Sequence, residues 1–306
     1  MARLTLLDIA KKNGSDAVVG LIEEVVPAIP ELNLFAARTI KGLNYKTLVR
    51  TALPTVAFRN ANEGTAAVKS TYENRLVETF IMNPRIECDK AVADGDEDGW
   101  QAAMAREASG VVTAAGITVA KQIYYGVGTG GDAKGYPGMI GIYDSTNMVV
   151  DAGGTSASTG SSVWAVKFGP QDAQLVVGLN GELTMSDVRV ETIYDADSNP
   201  LDGYVQTLLA RIGLQVASKY SIGRIKKLTE DSGKGLTDSL LSQLFQKFPI
   251  GHKPDAFMLS RRSLGQLQRS RTATNATGAP APIPTNWEGI PLIATDSILD
   301  TEALTL

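Results

Sequence analysis

His252 is the only histidine of the chain, so any Ser-His-Asp or Cys-His site would have to use it. It lies between Gly251 and Lys253 in a connector, and the chain has no nucleophile elbow, so it reads as a solvated loop residue. Cys88 is the only cysteine, which excludes an intramolecular disulfide and suits a reducing compartment. With one His and one Cys, a zinc site would need carboxylates to complete it, and none is expected. Asp94, Asp96, Asp98 and Gly99 match the first half of a calcium loop. The bidentate acid due six positions after that glycine is Ala105, and Glu107 comes two residues too late. Gly126, Gly128 and Gly131 satisfy GxGxxG, a motif that binds a dinucleotide only between a strand and a helix. Here it follows a helical run and leads into Lys134-Gly135-Tyr136-Pro137, the wrong context. Gly233-Lys234-Gly235 lacks the leading glycine and the trailing Ser/Thr of a phosphate loop. No catalytic, cofactor-binding or metal-ligating residue is assigned.

The elements that would position such residues point elsewhere. Thr5 and Asp8 have capping-box spacing, Asn13-Gly14 ends that turn, and a helix is expected over 15–26, before Pro27 and Pro30. Strand formers follow: Thr47, Val49, Thr51, Val56 and Phe58, then residues 71–82, on either side of the turn-forming Asn60-Ala61-Asn62-Glu63-Gly64. This predicts one long hairpin. Lys46, Arg50, Arg59, Lys69, Glu73, Arg75 and Glu78 put charge on both of its runs, so little of it can bury against its own subunit. A lone two-stranded ribbon is only marginally stable in water, so it needs a partner surface. Acidic residues 94–98 open the best helix, 100–124, with Met104, Ala108, Val111, Ala115, Val119 and Ile123 along one face. Its length would be roughly 37 Å.

After a glycine-rich turn and a small polar loop over 153–162, strand signals fill 163–226, clearest over 204–216. The end of the chain has α/β texture. Leu236, Leu240, Leu241, Leu244 and Phe248 line a helix, 256–259 is a buried strand, and Ser260 caps a helix reaching Arg271. A flexible loop over 272–284 and a strand over 290–294 follow. Arg261, Arg262, Arg269 and Arg271 give the capped helix a solvated or subunit-contacting face. A net charge of −4 argues against a general nucleic-acid binder, and a mildly acidic wall would not stick to DNA. No run approaches the roughly 20 apolar residues of a membrane span, and no signal-peptide core follows Met1, so use in the cytoplasm is expected.

The order of helical arm, charged hairpin, long helix and glycine turn resembles the tailed-bacteriophage major capsid protein, with its α+β Hong Kong 97-type fold. The sharpest likeness is Tyr125-Gly126-Val127-Gly128-Thr129-Gly130-Gly131-Asp132 running to Gly135-Tyr136-Pro137-Gly138, similar to the turn by which such proteins leave their spine helix. Ser260-Arg261-Arg262-Ser263 after a strand, then Gly289-Ile290-Pro291-Leu292-Ile293, is similar to the family's axial domain. The resemblance implies an N-terminal arm over 1–44, an extended loop over 45–88, and a peripheral domain over 89–161 with a spine helix at 94–125. Long peripheral strands over 162–229 and an axial domain over 230–306 complete it. It further implies inter-subunit contacts through Arg59, Asn62, Glu63, Lys69, Tyr72 and Arg75, and a helix-exit turn of Gly126, Gly128, Gly130, Gly131 and Asp132.

By that likeness the chain is a non-enzymatic subunit that self-assembles, as hexamers and pentamers, into an icosahedral virion capsid around phage double-stranded DNA. DNA would be touched non-specifically, no membrane or cofactor is implied, and assembly would take place in the host bacterial cytoplasm. A portal, a decoration or cement protein and a separate scaffolding protein are the other implied partners, since only about 44 residues precede the hairpin. Some relatives cross-link Lys to Asn; Lys69 and Asn62 lie in the right loop, but nothing in the sequence carries that chemistry over. In the usual order axial elements come soon after the spine helix, whereas here the strand block comes first, so a permuted chain order is expected. A misplaced block is the cheaper alternative. Rival readings are an encapsulin shell, an oligomeric α/β enzyme using carboxylates such as Asp195 and Asp197, and a decoration or tail protein.

Overall fold

The computed structural model describes residues 4–6, 8–9, 13, 27–143, 148–273 and 279–305; the helix expected over 15–26 and part of the 272–284 loop lie outside them. Near the start the capping box forms, with Asp8 N–H donating to Thr5 Oγ1 at 3.3 Å and Thr5 N–H to Asp8 Oδ2 at 3.0 Å.

Two sheets make the body. In the first, the 17-residue strand Pro200–Val216 is the shared partner. Arg189–Tyr194, Arg85–Asp89, Thr184–Met185, Phe80–Met82 and Ala173–Val177 all pair antiparallel with it. Ala37–Thr39 adds in parallel to Ala173–Val177. The second sheet runs Asn286–Trp287, Ile290–Ala294, Ala256–Leu259, Ser161–Val166, Ile222–Leu228, Val149–Asp151.

Every residue of Ser161–Val166 is buried, because this strand has apolar cover on both faces. Alternation sends Val163 and Ala165 toward Leu241, Leu244 and Leu267 of the helices Asp238–Phe245 and Arg261–Ala273. Trp164 and Val166 face the other way, into a cluster with Phe35, Ile123, Tyr124 and Tyr125.

The long helix is Trp100–Tyr125, 26 residues and about 39 Å. It does not start at 94. Gly99, at φ +86°, breaks the backbone, and residues 94–98 form turns in which Asp96 pairs with Arg106 and accepts the Asp98 N–H at 2.9 Å. Trp100 then stacks on Tyr204 of the long strand, centroids 4.5 Å apart. The helix is buried near its ends, at Ala103 and Met104 and from Val119 onward except at Lys121; nothing between 105 and 118 is.

Two sequence expectations change. The strand block 162–229 is divided, because Ser161–Val166 and Ile222–Leu228 need the apolar cover of the second sheet and its helices. The second sheet therefore begins soon after the long helix, at Val149–Asp151, and the permuted order, which rested on an undivided block, loses its ground. The hairpin is also shorter than 45–88. Pairing joins only Asn44–Ala52 to Thr71–Glu78, and Val56 and Phe58 lie outside any strand. Phe80–Met82 and Arg85–Asp89 return to the first sheet, where Ile86 and Cys88 bury against Tyr204.

Candidate assembly interface

The ribbon is pinned at its base and bare at its tip. Val77 packs with Ile40 and Val176, the Tyr45 hydroxyl bonds the Gln215 side chain, and Arg75 Nη1 donates to Ala217 O at 2.9 Å. Arg75 thus reaches back to its own subunit. Farther out, Tyr72 is exposed and carries the Arg50 guanidinium 5.5 Å from its ring centroid. At the tip Arg59 Nη1 donates to Glu63 O at 2.5 Å and the Asn60 N–H to Glu63 Oε2 at 3.1 Å. Asn62 takes φ +67°, the left-handed turn that asparagine tolerates. Lys69 is exposed. The tip also shows apolar side chains to water: Val56 is 83% and Phe58 107% exposed.

An open apolar groove of about 450 Å³ lies between the bare middle of the long helix and the first sheet, lined by Phe80, Ile81, Pro84, Val111, Ala114 and Ala115. It ends at the glycine turn. Gly126 terminates the helix at φ +56°, so close to Gly138 that an added Cβ would sit 2.0 Å from its nitrogen. Gly128 and Gly131 continue the turn through N–H bonds to Tyr125 O and Gly128 O, and Gly130 takes φ +106°. The residue that holds this turn is one the sequence gives no signal for, Gln122. Its amide donates to Tyr136 O at 2.8 Å and Asp132 O at 3.1 Å and accepts the Asp132 N–H at 2.7 Å.

A second unsignalled residue, buried Glu302, locks the helix exit to the second sheet. It accepts from Tyr125 Oη at 2.6 Å and Ser162 Oγ at 2.5 Å and pairs with buried Arg224 at 3.2 Å. Burial, then the Glu302 charge, pushes the Tyr125 phenol up.

The residues whose types could do chemistry are held in structural contacts. Asp94 accepts from the Tyr204 hydroxyl at 3.2 Å, and among the described residues no cluster of three or more His, Cys, Asp or Glu could hold a metal. His252 Nδ1 lies 3.7 Å from Asp172 Oδ1, the oxygen to which Ser221 Oγ donates at 2.7 Å. Both contact one carboxylate oxygen, which is not the nucleophile-to-base geometry of a triad. Burial, with help from Asp89 and Glu107, pushes the Cys88 thiol up to about 11, leaving little thiolate for nucleophilic work. Asp195 closes a turn by accepting the Asp197 and Asn199 N–H groups at 2.9 and 2.7 Å. In the basic helix Arg271 is bidentate to Asp238 and Arg262 binds Asp300 O and Thr159 O, so two of its four cations act within the subunit.

A family model described as Major capsid protein GP7 matches residues 11–305. Among solved structures, a chain of bacteriophage Epsilon15 is 22% identical, with a TM-score of 0.75 over 99% of this chain and 98% of its own. A chain from the capsid of Myoviridae phage XM1 is 10% identical, at a TM-score of 0.49, over 71% of this chain and 98% of its own. No curated protein matches. The chain belongs to the Major capsid protein GP7 family and is a shell-forming tailed-phage major capsid protein with the Hong Kong 97-type fold.

Proposed function

We propose that the ribbon clasps a neighbouring copy in the shell, bringing Arg59, Asn62, Glu63, Lys69 and Tyr72 onto it, while Arg75 steadies the base. The observation that carries this is the ribbon tip, where Val56 and Phe58 stand in water above an anchored stem. Apolar surface of this kind on an unpaired ribbon calls for cover from another surface. The groove beside the long helix supports a second copy as that cover. In this reading the first sheet and long helix form the peripheral domain, the second sheet the axial domain, and the N-terminal arm a further tether. Hexamers and pentamers then build the shell in the host bacterial cytoplasm, with a separate scaffolding protein, a portal and a decoration or cement protein. Packaged double-stranded DNA meets the inner wall without sequence preference.

Changing Val56 and Phe58 together to serine tests the clasp. The free subunit should keep its urea midpoint, since exposed substitutions usually stay within about 0.5 kcal/mol. Sedimentation and electron microscopy should show few or no closed shells. Normal shell yield from the double variant would sink the reading.

A further inference from the structure

Glu31 opens the short helix Glu31–Leu34 and is completely buried. Its segment is wedged between the end of the long helix and residues 295–298. Ala28 N–H donates to Asp296 Oδ2 at 2.7 Å, and Asp296 N–H returns a bond to Ala28 O at 3.1 Å. Ile29 and Leu32 reach across Gly116 of the long helix, where an added Cβ would lie 3.2 Å from Ile29 Cδ1. Phe35 enters the main apolar cluster. Glu31 Oε1 accepts from the Tyr124 hydroxyl at 2.9 Å and from the Thr295 hydroxyl. The other oxygen, Oε2, is buried and has no hydrogen-bond partner among the described residues.

A buried carboxylate ordinarily has a cation or several donors on both oxygens. Here the facing groups supply no cation, and the hydrogen bonds from Tyr124 and Thr295 both fall on one oxygen. The long helix presents the Tyr124 phenol, the strand Ala256–Leu259 presents Met258 Sδ, 3.3 Å from that phenol, and the 295–298 loop presents two hydroxyls. Asp296 on the same loop is exposed and turned to Ala28, and Glu31–Leu34 has no other ionisable side chain. A neutral acid fits such a place; an uncompensated charge does not.

We propose that Glu31 is a proton-operated latch: residues 28–35 seat on the long helix while Glu31 is neutral and release when it ionises. Burial pushes the Glu31 carboxyl above its ordinary value, and hydrogen bonds, that of the Thr295 hydroxyl first, pull it back only partly. An acid raised in the seated state holds its proton more tightly there than when released. Seating is therefore complete below the ordinary glutamate value and weakens as pH climbs to the raised value, about tenfold per pH unit within that window.

Hydrogen exchange at the Asn33, Leu34 and Phe35 amides, which bond Pro30 O and Glu31 O, reports seating directly. Measured on the full chain from about pH 4 to about pH 9 and corrected for chemical exchange rate, protection should fall with rising pH in the wild type. It should stay flat in Glu31→Gln, which cannot ionise. Tyr124→Phe removes a hydrogen bond that favours the charge, so protection should fall further at high pH than in the wild type, with the window of loss extending upward; a shallower fall than in the wild type counts against the latch. A flat wild-type profile, or the same slope in Glu31→Gln, overturns the latch.

Discussion

Gln122 shows how a single side chain can carry a turn. Its amide satisfies three backbone groups that the crossing of Gly126 over Gly138 leaves without helical partners, and one of them, Tyr136 O, belongs to a buried residue. Gln122→Leu keeps the volume and removes all three bonds. The subunit should lose about 1–3 kcal/mol in urea unfolding, the penalty for a buried polar group left unpaired. An unchanged midpoint would mean that water or a backbone shift satisfies the turn. The glycines around it were legible, because their density has few causes other than a tight turn. Gln122 and Glu302 were not, since an isolated polar residue has no spacing signature until its partners, up to 177 positions away for Tyr125 and Glu302, are known.

Elements were legible in proportion to how local their causes are. The long helix announced itself by its apolar spacing, and the ribbon by its strand formers flanking an Asn-rich turn. The helix begins at Trp100, as its apolar spacing implies, and the start at 94 implied by the resemblance fails because Gly99 keeps the acidic run out of the helix. Ser161–Val166 was merged with its neighbours because a strand buried on both faces loses the two-residue period, and its partners come from 222–228 and 256–259. Glycines within one element can act in opposite directions. At Gly110, inside the long helix, an added Cβ meets nothing within 4 Å, so Gly110→Ala should stabilise the unassembled subunit by about 0.5–1 kcal/mol. At Gly126 the same methyl would strike Gly138 at a positive φ, and the loss should exceed ~3 kcal/mol. Thermal unfolding of the two variants checks both signs. If Gly126→Ala melts with the wild type, the close crossing is not what shapes the helix exit.

For the whole molecule, the question is which parts are stable before assembly. The cluster at the helix exit takes Leu175 and Leu214 from the first sheet and Trp164 and Met258 from the second, so neither sheet can lose its packing without exposing the other. That makes the body one cooperative unit. The ribbon has no such support: of its two strands only Val77, at the base, is buried. Local opening should therefore be graded along it, with Lys46–Leu76 near the base opening less often than Val49–Glu73 farther out. In unassembled subunits, amides of Val49 and Glu73 should exchange orders of magnitude faster than those of Ser161–Val166, which open only on global unfolding. Under the proposed clasp, assembly should protect the ribbon most, because a neighbour's surface would supply the cover its own chain lacks. Its outer amides should gain at least about tenfold protection in shells while the body strands hold steady. Equal ribbon protection before and after assembly would mean that the ribbon stabilises itself, and the clasp would lose its physical basis.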